Sequence, residues 1–251
     1  MQFNARKAFF GLLIAGVTGA VLFPPALYLI GLAVAPPRPV PAEKSVPPLI
    51  ADAIWARANG GRATALTPIS PVSMAKFLAC VAFEDLNDTT PGDAQRVEAC
   101  RGYMPAVLGV EYLSGVHMRD ANLNPSFREG LGRFSTTVWM TRSWTRAEFL
   151  NTLAGRAEFA HGWRGVEAAS RGYFGRDAAE LSLPQAALLA AFIGEHWQDP
   201  WCGPAGSAAL RHRVLEQMLD NLAIDDKAFQ TADASSLDIV PPPADHKPCG
   251  D

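Results

Sequence analysis

The strongest structural signal in this chain is the run Gly-Val-Glu-Ala-Ala-Ser-Arg-Gly-Tyr-Phe-Gly-Arg at residues 165–176, followed by Glu-Leu-Ser-Leu-Pro-Gln-Ala-Ala-Leu-Leu-Ala at residues 180–190. The first run predicts a small-residue helix that ends at Gly175, since glycine favours the left-handed turn at a helix end. The second begins with a Ser-x-x-Gln capping box, and its proline is tolerated in the first turn. Residues 186–193 are apolar on every face, so we predict a fully buried helix.

Further helices are indicated upstream of this stretch. Ser70 before Pro71 is typical of a helix start, because serine can accept a hydrogen bond from a first-turn amide. The apolar residues of that helix recur at helical spacing and are Met74, Phe77, Leu78 and Val81. Thr145 opens a capping box with Glu148. The apolar face that follows this box consists of Phe149, Leu150 and Leu153.

Downstream, we predict that Ser207 caps another helix and that Asp225 begins a further short one. The inner stripe of the Ser207 helix would consist of Leu210, Val214, Leu215 and Met218. No short window alternates polar and apolar residues between turn signals as strands do, so we predict an all-α fold. Residues 86–102 and 119–134 are rich in Asn, Asp, Gly and Pro and are predicted to be loops or short helices.

The composition excludes several classes of protein. Of 251 residues, 49% are hydrophobic and 19% charged, which excludes a disordered or collagen-like chain. The 22 basic and 25 acidic residues give a formal charge of -3. Because no overall positive field is available to hold a phosphate backbone, we expect no nucleic-acid partner.

The N-terminal region predicts a membrane anchor. Residues 8–34 are apolar apart from Thr18, which is long enough to cross a hydrocarbon layer of about 30 Å as one helix. Arg6 and Lys7 precede the span, so we expect a cytoplasmic N-terminus, an inner-membrane location and a periplasmic domain. The alternative is a signal peptide cleaved after Ala33-Val34-Ala35, although the apolar run exceeds the usual length for one.

The expected organisation has four parts. Residues 1–35 would form the cytoplasmic N-terminus and transmembrane anchor, and residues 36–48 a stiff proline-rich linker. Residues 49–234 would form the functional domain. Residues 235–251 would form a polar, proline-rich tail that buries little.

Four cysteines suit an exported protein, in whose oxidising surroundings disulfides persist. We favour the pairings Cys80 with Cys100 and Cys202 with Cys249 among the three possible connectivities. The alternative is four buried free thiols that act as small apolar residues. No pair has zinc-ligand spacing, so a structural zinc is not expected.

Simple catalytic signatures are absent from the sequence. It contains no G-x-S-x-G, no H-E-x-x-H, no Walker loop and no dinucleotide-binding fingerprint. The five histidines are dispersed, so each is interpreted as a hydrogen-bonded structural residue. They are His117, His161, His196, His212 and His246.

The stretch 165–190 resembles glycosyltransferase family 51, the peptidoglycan transglycosylases of class A penicillin-binding proteins and monofunctional transglycosylases. In that family a G-x-x-A-A-x-x-Y-F-G-K run precedes L-x-L-x-E-A-A-L-L-A. The likeness continues through Asp199-Pro200, Pro204 and residues 211–218, which are similar to R-x-x-V-L-x-x-M. It covers residues 145–229 well and thins upstream.

The resemblance implies a lysozyme-like helical fold on the outer face of the cytoplasmic membrane that polymerises lipid II. Two glutamates serve the reaction, one as general base on the acceptor hydroxyl, and a divalent cation often helps. A carboxylate suits that role when its environment raises its pKa toward neutrality. Glu84-Asp85 matches the start of the first motif, E-D-x-x-F-x-x-H-x-G, and makes Glu84 the candidate catalytic residue.

The remaining motifs depart from the family pattern. Ser135-Thr136 retains part of G-x-S-T-I-T-Q-Q and implies substrate binding, but Trp139 and Met140 replace its two glutamines. The second glutamate, in R-K-x-x-E, has no counterpart between residues 141 and 145, where only Arg142 remains.

Three other family positions are also changed. The glutamate and asparagine of E-x-Y-L-N fall on Asn151 and Gly155, and the glutamate of L-x-x-E-A-A falls on Gln185. Since losing a catalytic carboxylate costs on the order of 10² to 10⁴ in rate, we expect weak polymerisation or none.

Other acids and bases could substitute, and each has a structural explanation. Glu148 belongs to a capping box, Glu158 is predicted on a solvated helix face, and Glu167 could pair with Arg171 four residues on. Guanidinium groups suit pyrophosphate oxygens, and the candidates are Arg142, Arg164, Arg171 and Arg176. Of these, Arg142 and Arg171 join Ser135 and Thr136 as predicted substrate-binding residues.

Two functional hypotheses follow, and a third is less economical. The chain is either a membrane-anchored glycosyltransferase that uses Glu84, or a non-catalytic relative that binds lipid II or a glycan strand, with other cell-wall synthesis proteins as possible partners. The missing second carboxylate favours the second. An unrelated helical scaffold would require the likeness to be chance.

Overall fold

The structure is a computed structural model that describes residues 22–58, 61–87, 108–194 and 199–242. Within its helices, the side chains of residues 78, 81–87 and 108 lie outside this description. In the described ranges the regular structure is helical, with no strand beyond one isolated bridge between Glu158 and Arg164. The all-α prediction is confirmed.

Ten α-helices lie in these ranges. They are α1 (22–34), α2 (Pro48–Arg57), α3 (Pro71–Asn87), α4 (Leu108–Asp120), α5 (Phe127–Ser143), α6 (Arg146–Arg156), α7 (Val166–Phe174), α8 (Leu183–Ala191), α9 (Pro204–Asp220) and α10 (Asp226–Ala234).

The chain divides into two compact units. Unit 1 comprises Met1–Arg38, Pro68–Pro105 and His117–Arg142, and unit 2 comprises Pro39–Thr67, Ala106–Val116 and Ser143–Asp251. Each is described by itself below.

The core of unit 2 is built around α8, as its sequence predicts. Residues 186–191 are completely buried, and α8 packs against α2, α7, α9 and α10. Gly175 ends α7 with φ 64° and ψ 21°, the left-handed conformation that favours glycine. Ser182 and Gln185 form the expected capping box, in which the amide of Ser182 donates to Oε1 of Gln185 at 3.0 Å.

Three other helix starts are confirmed by their capping bonds. Ser70 Oγ accepts from the amide of Ser73 at 2.9 Å at the start of α3. Thr145 and Glu148 form the capping box of α6, and Asp225 accepts from the amide of Ala228 at 2.7 Å at the start of α10.

The predicted start of α9 is wrong. The helix begins at Pro204 with Gly203 as N-cap, and Ser207 lies one turn inside it, 1% exposed. Proline has the φ that a first helical position requires and needs no partner for its missing N–H. The buried stripe then contains Arg211, with Leu210 only half-buried.

The loop prediction for residues 119–134 is wrong for its second half, because α5 already begins at Phe127. Gly132 in this stretch serves packing and not a turn. A Cβ added at Gly132 would lie 3.2 Å from Met118 Sδ and 3.5 Å from Ala35 Cβ, so glycine permits close contact at this point of unit 1. Of the other predicted loop, residues 88–102 lie outside the described residues.

The predicted anchor is described only in part. Helix α1 covers residues 22–34, and residues 8–21 of the predicted span lie outside the described ranges. Among the helices that are described, none is both long and apolar enough to cross a membrane.

The proline-rich linker is attached to unit 2. The amide of Ala42 donates to Thr152 Oγ1 at 2.8 Å, and the amide of Val46 donates to Asn151 Oδ1 at 3.0 Å. Residues 42–46 are therefore bonded to α6.

Candidate functional site

The candidate catalytic residue, Glu84, belongs to helix α3. Its side chain and that of Asp85 are outside the described residues. The role of Glu84 therefore stays a prediction.

Helix α5 carries three of the predicted substrate-binding residues, and two of them are buried. Ser135 is 0% and Thr136 4% exposed. A Cβ at Gly31 of α1 would collide with Ser135 Oγ and lie 2.6 Å from the Leu131 carbonyl oxygen. Ser135 Oγ has no hydrogen-bond partner within the described part of the chain. In unit 1 this hydroxyl therefore lies in a helix contact, where it offers no open surface to a ligand.

The two positions at which the family has glutamines are occupied by packing residues. Met140 is completely buried. Trp139 is half-buried, and the guanidinium carbon of Arg38 lies 5.3 Å from its ring centroid, a cation–π distance. Helix α5 therefore carries no side-chain amide that could bind a donor substrate.

Arg142, also on α5, is exposed and attached to a neighbouring loop of unit 1. Its Nη1 donates to the Ile69 carbonyl oxygen at 3.4 Å, and the Ile69 amide donates to Thr141 Oγ1 at 3.3 Å. These bonds fix the entry to α3. Because the bond to Ile69 uses only one nitrogen of the guanidinium, the others are available to an anion. A phosphate contact by Arg142 therefore stays a prediction.

Arg171, the predicted substrate-binding residue of unit 2, is engaged by two acids. Its Nε lies 2.8 Å from Asp177 Oδ1 and its Nη2 lies 3.2 Å from Glu167 Oε1. These partners raise the pKa of Arg171, the hydrogen bond to Asp177 most of all. The pairing of Glu167 with Arg171 is confirmed, and it reduces the charge that Arg171 can offer a pyrophosphate.

The substitute acids also have structural roles. Glu148 accepts from the Thr145 amide at 2.7 Å and the Thr145 hydroxyl at 2.8 Å, and these bonds lower its pKa, the backbone bond most. The expectation that Glu158 lies on a solvated helix face is wrong. It lies beyond the end of α6, half-buried, where its amide donates to Tyr112 Oη at 3.1 Å and its backbone pairs with Arg164.

Gln185, where the family has a glutamate, is 1% exposed. Its Oε1 accepts from the Ser182 amide and its Nε2 donates to the Leu237 carbonyl oxygen at 3.0 Å. Both ends of the amide are therefore used inside unit 2.

A histidine and aromatic cluster in unit 2 was not anticipated. His161 Nε2 lies 3.1 Å from Asp199 Oδ2. The centroid of the His161 ring lies 5.0 Å from that of Trp163 and 5.2 Å from that of Trp201. The ring centroid of Tyr173 lies 4.8 Å from that of Trp163 and 5.5 Å from that of Trp201. Residues 161 and 201 lie far apart in the chain, so no local sequence pattern predicts this cluster.

The cluster is built by backbone conformation as well as by rings. His161 has φ 64° and Gly162 φ 71°, so the chain turns sharply and presents the imidazole to Asp199. Burial, followed by the negative charge of Asp199, raises the pKa of Tyr173, whose hydroxyl is completely buried without a hydrogen bond among the described atoms. Tyr173 is thus a neutral core residue, and the expectation that His161 is a bonded structural histidine is confirmed.

The cysteine predictions are tested in part. Cys80 and Cys202 are both disulfide-bonded, and the described ranges contain no free cysteine, so the free-thiol alternative is wrong for these two. Cys100 and Cys249 lie outside the described residues. The pairings Cys80–Cys100 and Cys202–Cys249 stay predictions.

A divalent cation does not fit the residues that are described. Within those ranges no three His, Cys, Asp or Glu side chains are grouped closely enough to hold a metal ion.

Comparison with known proteins gives a consistent result. The family model described as "Transglycosylase" matches residues 120–219. A biosynthetic peptidoglycan transglycosylase of Rhodospirillum centenum is 33% identical over 203 residues, which are 78% of this chain and 85% of that protein. The enzyme of the same name from Citrobacter koseri is 37% identical over 92 residues, 36% of this chain and 38% of the relative. Penicillin-binding protein 1B of Haemophilus influenzae is 37% identical over 76 residues, 30% of this chain and 10% of the relative.

Proposed function

The chain belongs to the peptidoglycan transglycosylase family, glycosyltransferase family 51, and from this premise we propose that it binds a lipid-linked glycan at the cell wall while polymerising it weakly or not at all. In this proposal a lysozyme-like helical domain stands on the periplasmic side of the cytoplasmic membrane. A helix over residues 8–34 anchors it there. Lipid II or a nascent glycan strand is the ligand, and other cell-wall synthesis proteins are the partners.

The observation that carries the proposal is the packing of α5. The resemblance implies two side-chain amides at positions 139 and 140, where they would bind the donor substrate. In this chain the positions hold Met140, which is fully buried, and Trp139, whose indole is covered by the Arg38 guanidinium. Apolar side chains in a core cannot replace hydrogen-bond donors to a developing charge. The burial of Met140 and the Arg38 contact of Trp139 therefore support a helix that packs in unit 1 and does not act on a substrate.

The anchor and location are supported by sequence and by chemistry. The uncharged run that precedes residue 35 is long enough for one span, and its basic flank is on the N-terminal side. The disulfides at Cys80 and Cys202 suit an oxidising compartment.

The second candidate is an active transglycosylase with Glu84 as general base. It is favoured by the course of α3, which runs through residue 84 and so places that position on a regular helix. The other residues with a predicted role would then contribute to substrate binding, among them Ser135, Thr136, Arg142 and Arg171.

Purified full-length protein in detergent, given fluorescent lipid II, separates the two candidates. Binding is measured by anisotropy and polymerisation by gel separation of glycan strands. We expect saturable binding with little or no polymer, unchanged in Glu84→Gln. The matched control is Glu180→Gln, since Glu180 is exposed in unit 2.

Polymer that is lost in Glu84→Gln and kept in Glu180→Gln would contradict the binding proposal and establish an enzyme. Absence of both binding and polymer, in protein whose helical circular dichroism is intact, would contradict both candidates.

A further inference from the structure

The segment after α10 is hydrogen-bonded to unit 2 by side chains of two helices and a loop, and by the backbone of a third helix. Arg211 of α9 donates to the Asp233 carbonyl oxygen, and to the Ser235 carbonyl oxygen at 3.1 Å. The Val240 amide donates to the Tyr173 carbonyl oxygen of α7 at 2.9 Å. Trp201 Nε1 donates to the Val240 carbonyl oxygen at 2.8 Å. Residues 235–240 are half-buried or exposed, and the segment is bonded at both of its ends.

The middle of the segment is held by Gln185 of α8, whose Nε2 donates to the Leu237 carbonyl oxygen at 3.0 Å. The Oε1 atom of the same side chain accepts from the backbone amide of Ser182. A glutamate could make the Ser182 bond, but an ionised carboxylate has no donor for Leu237. The family's glutamate would therefore place a negative oxygen against a carbonyl oxygen at this point.

We propose that residues 235–240 form a C-terminal strap, that the amide of Gln185 locks it onto α8, and that the change from glutamate to glutamine at this position is what permits the docking. The departure from the family at residue 185 then has a structural purpose separate from any catalytic loss. This inference does not depend on the proposed function, since every contact in it lies inside unit 2.

The strap supplies one wall of a groove of about 680 Å³, and the first turns of α8 and α10 supply the others. The strap contributes Ser235, Ser236 and Asp238, and the helices face them with Ser182, Lys227 and Thr231. The docked Val240 also lies against Gly175, where an added Cβ would be 3.2 Å from Val240 Cγ1.

Hydrogen exchange of the full-length protein, read by mass spectrometry, tests the lock. The variant is Gln185→Glu, which keeps the acceptor for the Ser182 amide and so leaves the α8 cap in place. We expect the Val240 amide to lose protection by about tenfold, because one hydrogen bond is lost and one carbonyl is left facing a charge. Amides of residues 188–191 in α8 should keep their protection. The matched control is Gln230→Glu, an identical change at an exposed position of α10, which should leave both regions unchanged.

Equal protection of Val240 in the wild type and in Gln185→Glu would overturn the proposal. So would a parallel loss in α8, because Gln185 would then be an ordinary core residue. A second variant, Gln185→Met, removes both hydrogen bonds while keeping the side-chain length. It should release the strap at least as much as Gln185→Glu, and retention of the strap in this variant would also overturn the proposal.

Discussion

Helix α5 of unit 1 and helix α8 of unit 2 each carry a residue that departs from the motif its sequence resembles, and the two residues have opposite surroundings. On α5 the replacement at residue 140 is an apolar side chain in the core. On α8 the replacement at residue 185 is still polar, and both ends of its amide are hydrogen-bonded. One departure from a motif is thus matched by packing and the other by internal hydrogen bonds.

The surroundings of the two positions explain the difference. Residue 185 lies in the first turn of α8, where free amides need acceptors, and the Leu237 carbonyl nearby needs a donor. Met140 lies where the described neighbours leave it no exposed surface, so an apolar side chain is favoured.

The largest expected effect is in the core of unit 2. Leu188→Ala removes a completely buried side chain from α8, and we expect the free energy of unfolding to fall by about 3 to 4 kcal/mol. Urea denaturation followed by circular dichroism measures this. In contrast, Leu222→Ala, at a leucine that is 69% exposed, should change it by less than about 0.5 kcal/mol. Similar losses for both would show that α8 is not the core of its unit.

A smaller effect is expected when the family's amides are returned to α5. Met140→Gln puts an amide where no exposed surface remains, and we expect a loss of about 2 kcal/mol with no gain in lipid II polymerisation. Trp139→Gln, at the half-buried neighbouring position, should lower the free energy of unfolding by about 1 kcal/mol or less, because the cation–π contact with Arg38 is lost. If Met140→Gln were neutral or restored polymer, α5 would have a substrate-facing position that its packing does not suggest.

The smallest expected effect is a pH dependence at the edge of unit 2. His212 Nδ1 lies 3.0 Å from Asp233 Oδ1 and its Nε2 lies 3.3 Å from Glu216 Oε1, and the hydrogen bond to Asp233 is the main cause of its raised pKa. The stabilisation is full below the ordinary histidine pKa near 6.5 and is lost as the pH rises through the raised value.

Because the His212 side chain is 43% exposed and its ion pairs are screened by solvent, we expect a difference of only about a few tenths of a kcal/mol between pH 5.5 and pH 8.5. Denaturation midpoints at the two pH values measure it, and His212→Gln should remove this part of the difference. An unchanged difference in the variant would assign the effect to other groups.

Local signals predicted much of the fold. The starts of α3, α6 and α10, the end of α7 and the burial of α8 all follow from capping residues, a glycine and an apolar run. The site was less predictable. The pairing of Arg171 with Glu167 follows from helical spacing, but its second partner, Asp177, lies beyond the helix end. The contacts of Ser135 and Met140 depend on other segments of the chain.

What the amino-acid order determined by itself is the helical class, the starts of four helices, the end of a fifth and the kinship, because caps, periodicity and motif residues act within one or two turns. The tertiary structure alone decided that His161 meets Asp199, that Gln185 bonds the chain 52 residues later, and that Arg211 is buried. Those contacts join residues far apart in the chain, and the energy that selects them comes from packing and from satisfying buried polar groups, which no local pattern encodes.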